Sequence, residues 1–265
     1  MLLSDVLDGA LKLYRANAKA LITVSAVFLV PLQVLGALVG KVVVGPAVSD
    51  AVERWAADNG QVVRGDVTET VAAVLAGLAI LLAMPFVTGA VSVIVSRSYL
   101  GGVMEAGEAI AVVRSRWAAL AGSWVMVHLL VAVGLAFCIL PGLLLLALFV
   151  AVPAAIVVEG QRAGGAMGRS WNLVKRRLWP VVGIVLLAWI IDGVIGTALS
   201  WVLELPANLM PAGWLVRIAG ESAINVLTAP FIAIVAVLIY FDLRIRHEGF
   251  DLQVMAGEVA RRSGQ

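Results

Sequence analysis

The longest stretch of the sequence without a charged residue runs from Trp117 to Val158, and it constrains the fold more than any other feature. It contains 42 residues without Lys, Arg, Asp or Glu, and Cys138-Ile-Leu-Pro-Gly142 interrupts it near its middle. A single helix of that length would be about 60 Å long, whereas the hydrocarbon core of a bilayer is only about 30 Å thick. The stretch therefore predicts two membrane-spanning helices that are joined by a very tight turn at Pro141-Gly142.

Four further apolar segments are long enough to cross a membrane. Of all residues, 62% are hydrophobic and 14% are charged, whereas soluble domains have about 45–50% and 25%. The segments cover residues 20–40, 70–96, 178–203 and 222–241, and each reaches the roughly 18–20 residues that a spanning helix needs. We therefore expect an all-α integral membrane protein with six transmembrane helices, in a single membrane domain over residues 1–265.

The basic residues predict the orientation of these helices. With the N-terminus inside, 15 of the 19 Lys and Arg residues lie in the cytoplasmic segments. Short cytoplasmic loops carry such an excess in membrane proteins, so we expect the N- and C-termini to be cytoplasmic and residues 251–265 to form a cytoplasmic tail. The first outer loop, residues 41–69, is mildly acidic and is predicted to contain a short surface helix over residues 49–59.

Amphipathic segments precede the first, third and fifth crossings. Each contains four apolar residues at spacings of 4, 3 and 4, which places them on one face of a helix. They are Leu7, Leu11, Tyr14 and Ala18; Ala106, Ile110, Val113 and Trp117; and Met167, Trp171, Val174 and Leu178. Such a helix lies in the membrane interface with its basic side toward anionic headgroups. The basic residues expected to contact lipid headgroups are Arg15, Arg114, Lys175, Arg176 and Arg177.

The amphipathic segments define a possible internal repeat. Each is followed by two crossings, and the second crossing contains a proline, at Pro85, Pro153 and Pro230, which usually kinks a helix. This pattern predicts three helical hairpins, each preceded by an interfacial helix, as parallel units over residues 1–100, 101–160 and 161–250. The alternative is that any six-helix protein with basic inner loops shows a similar pattern. Parallel units differ from the inverted repeats that many transporters contain.

Two ionisable residues lie near the middle of predicted crossings. Asp192 interrupts the fifth crossing and His128 lies in the third, and such residues are costly in a bilayer and often functional. In the repeat alignment they lie about one helical turn apart in depth, so a hydrogen bond can form if their helices touch. The pair is therefore either a proton relay or polar substrate site, or a structural contact. Glu221 and Asn225 begin the sixth crossing, where they either cap the helix, which we favour, or face an internal cavity.

Small residues mark candidate helix contacts. The pairs Gly36/Gly40 and Gly196/Ser200 have the four-residue spacing that allows two membrane helices to approach closely. The single cysteine, Cys138, excludes an intramolecular disulfide, and we expect it to be buried as a small apolar residue.

No motif of a known catalytic or cofactor site is present. The sequence has neither a phosphate-binding glycine loop nor a His or Cys pair at metal-ligand spacing, and nothing arranges a nucleophile, a base and an orienting acid. We therefore expect no catalytic residue, no metal and no cofactor. The basic run 175–177 lies beside a crossing, so it favours contact with lipids over binding of nucleic acid.

Three stretches carry a resemblance to a known family. They begin at Leu3, Pro153 and Pro230, and the elements that carry the match are Glu159-Gly160 and Arg169-Ser170-Trp171 in the second and the run from Tyr240 to Gly249 in the third. Together the chain resembles bacterial, especially actinobacterial, polytopic proteins labelled as the membrane domain of glycerophosphoryl diester phosphodiesterase. In that family the hydrolase is a separate soluble barrel, for which this chain has no room. The resemblance thus implies a membrane module of a bacterial plasma membrane without transferable catalytic residues. Ion pairs of Asp242 and Glu248 with neighbouring arginines are the simplest explanation of the last stretch.

The sequence as a whole favours a non-catalytic function. We expect a scaffold or accessory subunit that interacts with membrane lipids, a membrane protein partner or further copies of itself. One alternative is a small transporter or channel that uses Asp192 and His128. A second alternative is a membrane-embedded enzyme that modifies lipids.

Overall fold

The chain forms an all-helical bundle. The computed structural model describes residues 3–59, 67–99, 101–210 and 213–249, and these residues contain helices and connecting turns but no strand. Six of the described helical segments are long and apolar enough to cross a membrane. The predicted all-α class is therefore confirmed for the described residues, as is the presence of six helical segments of spanning length, and both are consistent with a membrane protein. The predicted tail lies outside the described residues.

The described helices include the predicted segments, and several of them extend well beyond the predicted bounds. The crossings correspond to α1 (Leu3–Val39), α3 (Val67–Tyr99), α5 (Trp117–Phe137), α6 (Ile139–Leu148) with α7 (Val152–Val158), α9 (Leu178–Leu209) and α10 (Gly213–Glu248). The shorter helices are α2 (Gly45–Asp58), α4 (Ala106–Ser115) and α8 (Ala163–Val174). A π-helical turn over Gly40–Val44 precedes α2, and a 3-10 turn over Lys175–Arg177 precedes α9. The surface helix predicted over residues 49–59 is confirmed as part of α2.

Helices α3 and α10 form the centre of the bundle. Helix α1 packs along both of them, α9 packs on α10, and α5 packs on α6. In its most apolar stretch, the α10 segment has 72% of its residues buried, compared with 17% for the segment that contains α9. The surface of α9 consequently exposes large apolar side chains such as Trp201 and Val194. A bilayer would cover such a surface with lipid chains.

Glycines allow α1 and α3 to touch through their backbones. A Cβ atom at Gly36 would lie 2.8 Å from the carbonyl oxygen of Leu75, and one at Gly40 would collide with the backbone of Ala72. The close helix contact predicted for Gly36 and Gly40 is therefore confirmed. At Gly196, in contrast, a Cβ atom would meet nothing within 4 Å, so the predicted contact at Gly196 is not formed in this chain.

The turn between the third and fourth crossings lies earlier than predicted. Cys138 alone separates α5 from α6 and has an extended backbone, with φ −170° and ψ 155°. Pro141 and Gly142 belong to the first turns of α6 instead. Proline fits there because the first N–H groups of a helix have no intrahelical acceptor. Cys138 is exposed at this turn rather than buried.

The fourth crossing is interrupted near its middle. Helix α6 ends at Leu148, and α7 begins at Val152 with Pro153 in its first turn. Pro85 and Pro230, in contrast, lie inside the continuous helices α3 and α10. The three prolines therefore have different effects, and only Pro153 accompanies a broken helix.

Each amphipathic segment ends in a break before its crossing. Asn17 (φ −119°, ψ 17°), Arg116 (φ −114°, ψ 9°) and Arg177 (φ −136°, ψ 36°) all leave the helical conformation. In the first unit this is a kink inside α1, whereas α4 and α8 are separate helices. The predicted apolar face is only half buried against the protein: Val113 and Val174 are buried, whereas Trp117 and Trp171 are exposed.

Candidate functional site

An ionic network joins the consecutive helices α7 and α8 to the distant helix α10 at one end of the bundle. It consists of Glu159 at the end of α7, Arg169 on α8, and Tyr240, Arg244 and Glu248 on the last turns of α10. These residues belong to the second and third of the stretches that carry the family resemblance. We refer to these five residues as the Arg169 network and to this end of the bundle as the network end.

Arg169 lies between the two carboxylates. Its Nε donates to both carboxylate oxygens of Glu159, at 3.0 and 2.9 Å, and its Nη2 donates to Glu159 Oε1 at 2.9 Å. On the other side, Nη2 donates to Glu248 Oε2 at 2.7 Å, and Nη1 donates to Glu248 Oε1. The planar guanidinium suits two such forked contacts, which lysine cannot reproduce.

Tyr240 and Arg244, both on α10, complete the network through hydrogen bonds to the same two carboxylates. The fully buried Tyr240 donates its hydroxyl proton to Glu159 Oε1 at 2.7 Å, and Arg244 Nη1 donates to the Tyr240 oxygen at 3.2 Å. Arg244 Nε also donates to Glu248 Oε2 at 3.2 Å. The guanidinium of Arg244 lies 5.6 Å from the centre of the Tyr240 ring, within the range of a cation–π contact.

The Arg169 network is balanced in charge and well enclosed. Two carboxylates face two guanidinium groups, and the exposed fraction is 14% for the side chains of Glu159 and Arg244 and about a quarter for those of Arg169 and Glu248. The guanidinium N–H groups donate their hydrogen bonds to the carboxylate oxygens of the same network. The arrangement is therefore suited to joining α7, α8 and α10 rather than to accepting a proton from a substrate.

Ser170 forms hydrogen bonds with the backbone groups that are left free where the fourth crossing is interrupted. Its hydroxyl donates to the carbonyl oxygen of Leu148 at 2.6 Å and accepts from the amide of Ala151 at 3.3 Å. A buried helix end without such partners would leave backbone polar groups unpaired, which is costly. The neighbouring Trp171 ring lies 6.3 Å from that of Phe149. Successive residues of the Arg-Ser-Trp motif thus contact the network, the helix break and an aromatic side chain.

Gly160 terminates α7 beside the network. Its φ of +71° is rarely adopted by other residues, and Arg116 Nη1 donates to its carbonyl oxygen at 3.3 Å. The Glu-Gly pair therefore combines a carboxylate in the network with the backbone conformation that ends the helix.

A cavity of about 470 Å³ lies against the break in the fourth crossing, and we call it the His128 cavity. The parts of α3, α5, α7, α9 and α10 that face it are mostly apolar. His128 is part of its wall, and the His128 Nδ1 lies 2.9 Å from the carbonyl oxygen of Trp124 on the same helix. The two rings stack with centroids 4.3 Å apart.

The structure does not bring Asp192 and His128 into hydrogen-bond contact. Asp192 is not among the residues that line the His128 cavity, and its buried Oδ1 has no hydrogen-bond partner within the described ranges. The His128 Nδ1, for its part, faces Trp124. The hydrogen bond that the sequence allowed between these two residues is therefore not formed.

Glu221 and Asn225 do not cap the sixth crossing, because α10 begins eight residues before Glu221. The Asn225 side chain donates to the Glu221 carbonyl oxygen at 2.8 Å, within the helix. Glu221 instead lines a second cavity of about 410 Å³ at the opposite end of the bundle, together with Lys41, Glu204 and Arg217. The second interpretation of Glu221, that it faces a cavity, is the one that the geometry supports.

The basic residues predicted to contact lipid headgroups are exposed. They are Arg15, Arg114, Lys175, Arg176 and Arg177. Lys175 donates to the side-chain oxygen of Asn172 at 2.7 Å. None of the five belongs to the Arg169 network. Contact with lipid headgroups itself stays a prediction.

Sequence reasoning predicted ion pairs for Asp242 and Glu248 but did not predict the network. Arg246 pairs with Asp242 at 2.9 Å and Arg244 pairs with Glu248 at 3.2 Å, so those local pairs are confirmed. Arg169 and Glu248 are 79 residues apart in sequence, and helical periodicity carries no information on such a contact. The one available signal was that two of the three family-like stretches contain acidic and basic residues of the network.

The described residues contain no group of three or more His, Cys, Asp or Glu side chains that is suited to hold a metal ion. A family model described as "Domain of unknown function (DUF7847)" matches residues 10–243. No curated protein and no solved structure matches the chain. The resemblance to the membrane domain of glycerophosphoryl diester phosphodiesterase therefore stays a prediction.

Proposed function

Since the chain belongs to the DUF7847 family, whose function is unknown, we propose its role from its own residues. We propose that it is a non-catalytic integral membrane protein, a scaffold or accessory subunit that contacts membrane lipids or a membrane partner at its network end. The observation that carries this proposal is the Arg169 network, in which the charged groups bond to one another across three helices.

The exposed basic residues supply the contact surface. Arg114 and the Lys175–Arg177 turn lie outside the network, and each basic side chain near an anionic leaflet contributes about 1 kcal/mol of attraction. These four are among the 15 basic residues that predict the cytoplasmic side. We infer that the network end faces the cytoplasm of a bacterial cell, with both termini on that side of the plasma membrane.

The three-unit architecture is part of the proposal, and two observations support it. The breaks at Asn17, Arg116 and Arg177 occupy the same position in the aligned units. The crossings within each proposed unit also pack on each other, as α1 on α3, α5 on α6 and α9 on α10. Three interfacial segments that end alike would give the network end a ring of basic residues.

A lipid-retention experiment tests the contact surface. The variant Arg114→Gln/Lys175→Gln/Arg176→Gln/Arg177→Gln is purified from bacterial membranes in mild detergent, and its bound lipids are counted by native mass spectrometry. We expect it to lose most of the anionic lipid that the unmodified chain retains. Arg54→Gln, an exposed cation on α2 at the opposite end, is the control and is expected to retain it. Equal retention by all three proteins would contradict the proposed lipid contact.

The non-catalytic assignment has a separate test. The chain in liposomes is incubated with phospholipids and with glycerophosphodiesters, and we expect no turnover above protein-free liposomes. Turnover that disappears in Glu159→Gln would show that the network takes part in catalysis and would overturn the assignment.

A small transporter is the second candidate, and the His128 cavity is the observation that favours it. Broken helices beside a cavity are typical of transporter binding sites, and the broken fourth crossing contributes to the wall of this cavity. Proton flux into proteoliposomes that is lost in both His128→Gln and Asp192→Asn would support this candidate. Flux that does not exceed that of empty liposomes would count against it.

A further inference from the structure

The His128 cavity has the size and position of a ligand site. Its volume of about 470 Å³ lies within the range of about 300–1,000 Å³ that is typical of small-molecule pockets. The wall includes Leu81 on α3 and Trp189 on α9, which expose 39% and 40% of their surface. Because these two residues also face the outside of the bundle, the cavity is accessible from the side that lipid chains would cover.

The wall of the cavity excludes a charged ligand group. No Asp, Glu, Lys or Arg is among the lining residues. A phosphate or carboxylate placed there would lose its hydration without gaining an opposite charge, which is strongly unfavourable. Ser123 also lines the cavity, and its hydroxyl donates a hydrogen bond to the carbonyl oxygen of Leu120 at 2.9 Å.

His128 provides one polar atom of defined character. A carbonyl oxygen only accepts hydrogen bonds, so the contact of Nδ1 with the Trp124 oxygen places the ring proton on Nδ1. In the neutral ring Nε2 is then an acceptor. Stacking on Trp124 fixes the ring plane. The cavity therefore offers an apolar volume, the His128 acceptor for an O–H donor, and the lining residue Trp124, whose buried Nε1–H has no hydrogen-bond partner among the described residues.

We propose that the His128 cavity binds an uncharged lipid that carries a hydroxyl group, such as a diacylglycerol or a long-chain alcohol. The hydroxyl donates its hydrogen bond to His128 Nε2, and the hydrocarbon chain fills the space beside the break in the fourth crossing. This binding site does not depend on the proposed role of the network end, which uses different residues.

Photolabelling in nanodiscs tests the proposal. The purified full chain is placed in phosphatidylcholine nanodiscs with a diazirine-bearing C16 alcohol, and parallel samples receive the matching C16 alkane or C16 fatty acid. One hydrogen bond contributes about 0.5–1.5 kcal/mol, so we expect the alcohol to label the cavity about 2–10-fold more than the alkane. The labelled peptide is expected to contain residues that line the cavity.

Three variants separate the cavity from the general lipid surface. Ala188→Trp places a large ring in the cavity and is expected to abolish labelling there, whereas Leu129→Trp, on an exposed position of α5, leaves it unchanged. His128→Phe is expected to reduce alcohol labelling to the alkane level without affecting the alkane. His128→Gln, which retains an acceptor, is expected to restore part of the preference for the alcohol.

The variants also define the results that would overturn the site. If the peptides that contain the lining residues are still labelled in a folded Ala188→Trp protein, the lipid binds outside the cavity. If Ala188→Trp does not fold, the His128→Phe comparison decides, because this change keeps the ring volume. Equal labelling by alcohol and alkane in the unmodified chain, or stronger labelling by the fatty acid, would contradict the proposed ligand class. Loss of anionic lipid retention at the network end would leave this result unaffected.

Discussion

Removing the Arg169 guanidinium is the sharpest test of how the network end is held together. In Arg169→Met, a side chain of similar volume replaces the cation, so the carboxylates of Glu159 and Glu248 face one another without a positive charge between them. Arg169 makes five hydrogen bonds to these carboxylates. Tyr240 remains bonded to Glu159, and Arg244 remains bonded to Glu248.

The expected cost follows from the burial of the partners. Breaking a buried ion pair by removing one member costs about 3–5 kcal/mol. Because about a quarter of the Arg169 and Glu248 side chains is exposed, we expect about 3 kcal/mol, at the low end of that range. A change of that size lowers the unfolding midpoint by about 6–12 °C for a chain of this length.

Thermal unfolding of the purified protein in detergent, followed by tryptophan fluorescence, measures this change. Arg246→Met is the matched control, because Arg246 pairs with Asp242 one turn away on an exposed part of α10. An exposed pair of this kind is worth about 0.3–0.5 kcal/mol, so the control midpoint should move by about 1–2 °C. Arg169→Lys should lie between the two, since it keeps the charge but not the forked hydrogen bonds.

A double-mutant cycle identifies the origin of the loss. Adding Glu248→Gln to Arg169→Met removes one of the two facing charges, so the double variant should be less destabilised than the sum of the single variants. Additive losses would show that the two residues do not interact. A midpoint for Arg169→Met that is no lower than that of Arg246→Met would refute the view that the network joins the helices.

Three further predictions concern other parts of the bundle. Ser170→Ala should cost about 1–3 kcal/mol, because it leaves the Leu148 carbonyl and the Ala151 amide without their partner; faster hydrogen exchange at Ala151 checks this, and unchanged exchange would contradict it. Gly40→Leu should lower the unfolding midpoint strongly by separating α1 from α3, whereas Gly196→Leu, which meets open space, should not; equal midpoints would contradict the close contact. Cys138 should react with a membrane-impermeant maleimide from the outer side of intact cells, because it is exposed at the turn after α5; reaction only after the cells are opened would reverse the inferred orientation.

The fold class was predictable because the signal is local. Apolar segments of spanning length are counted directly in the sequence, and the described residues contain six helical segments that correspond to them, the fourth with an interruption. Their joints were less predictable. Pro141-Gly142 is a typical turn signal, yet both residues fit inside the first turns of α6 and leave the turn to Cys138. The interruption at residues 149–151 depends on a hydroxyl from α8, which the sequence of the fourth crossing does not reveal.

The candidate site was predictable only in fragments. Asp192 and His128 were singled out because an ionisable residue in an apolar helix is easy to find, but whether two helices touch is a property of the packing. Glu159 and Arg169 lie at ends of helices, where charged residues are common and carry little information individually. Their significance comes from the way in which α8 lies against α7 and α10, and only the three-dimensional arrangement contains it.

The polar contacts at the network end fit the proposed three-unit architecture. In the first unit, Asn17 at the break donates to Ser98 near the end of α3 at 3.2 Å. In the second, Arg116 at the break donates to Gly160 at the end of α7. In the third, Arg169 on the amphipathic helix binds Glu248 at the end of α10.

Each proposed unit is thus closed by a bond from its leading segment to the end of its second crossing. Arg169 differs from Asn17 and Arg116 because it also binds Glu159, which belongs to the preceding unit. One guanidinium therefore closes the third unit and joins it to the second. On this reasoning, loss of Asn17 or Arg116 should loosen one unit, whereas loss of Arg169 should loosen two.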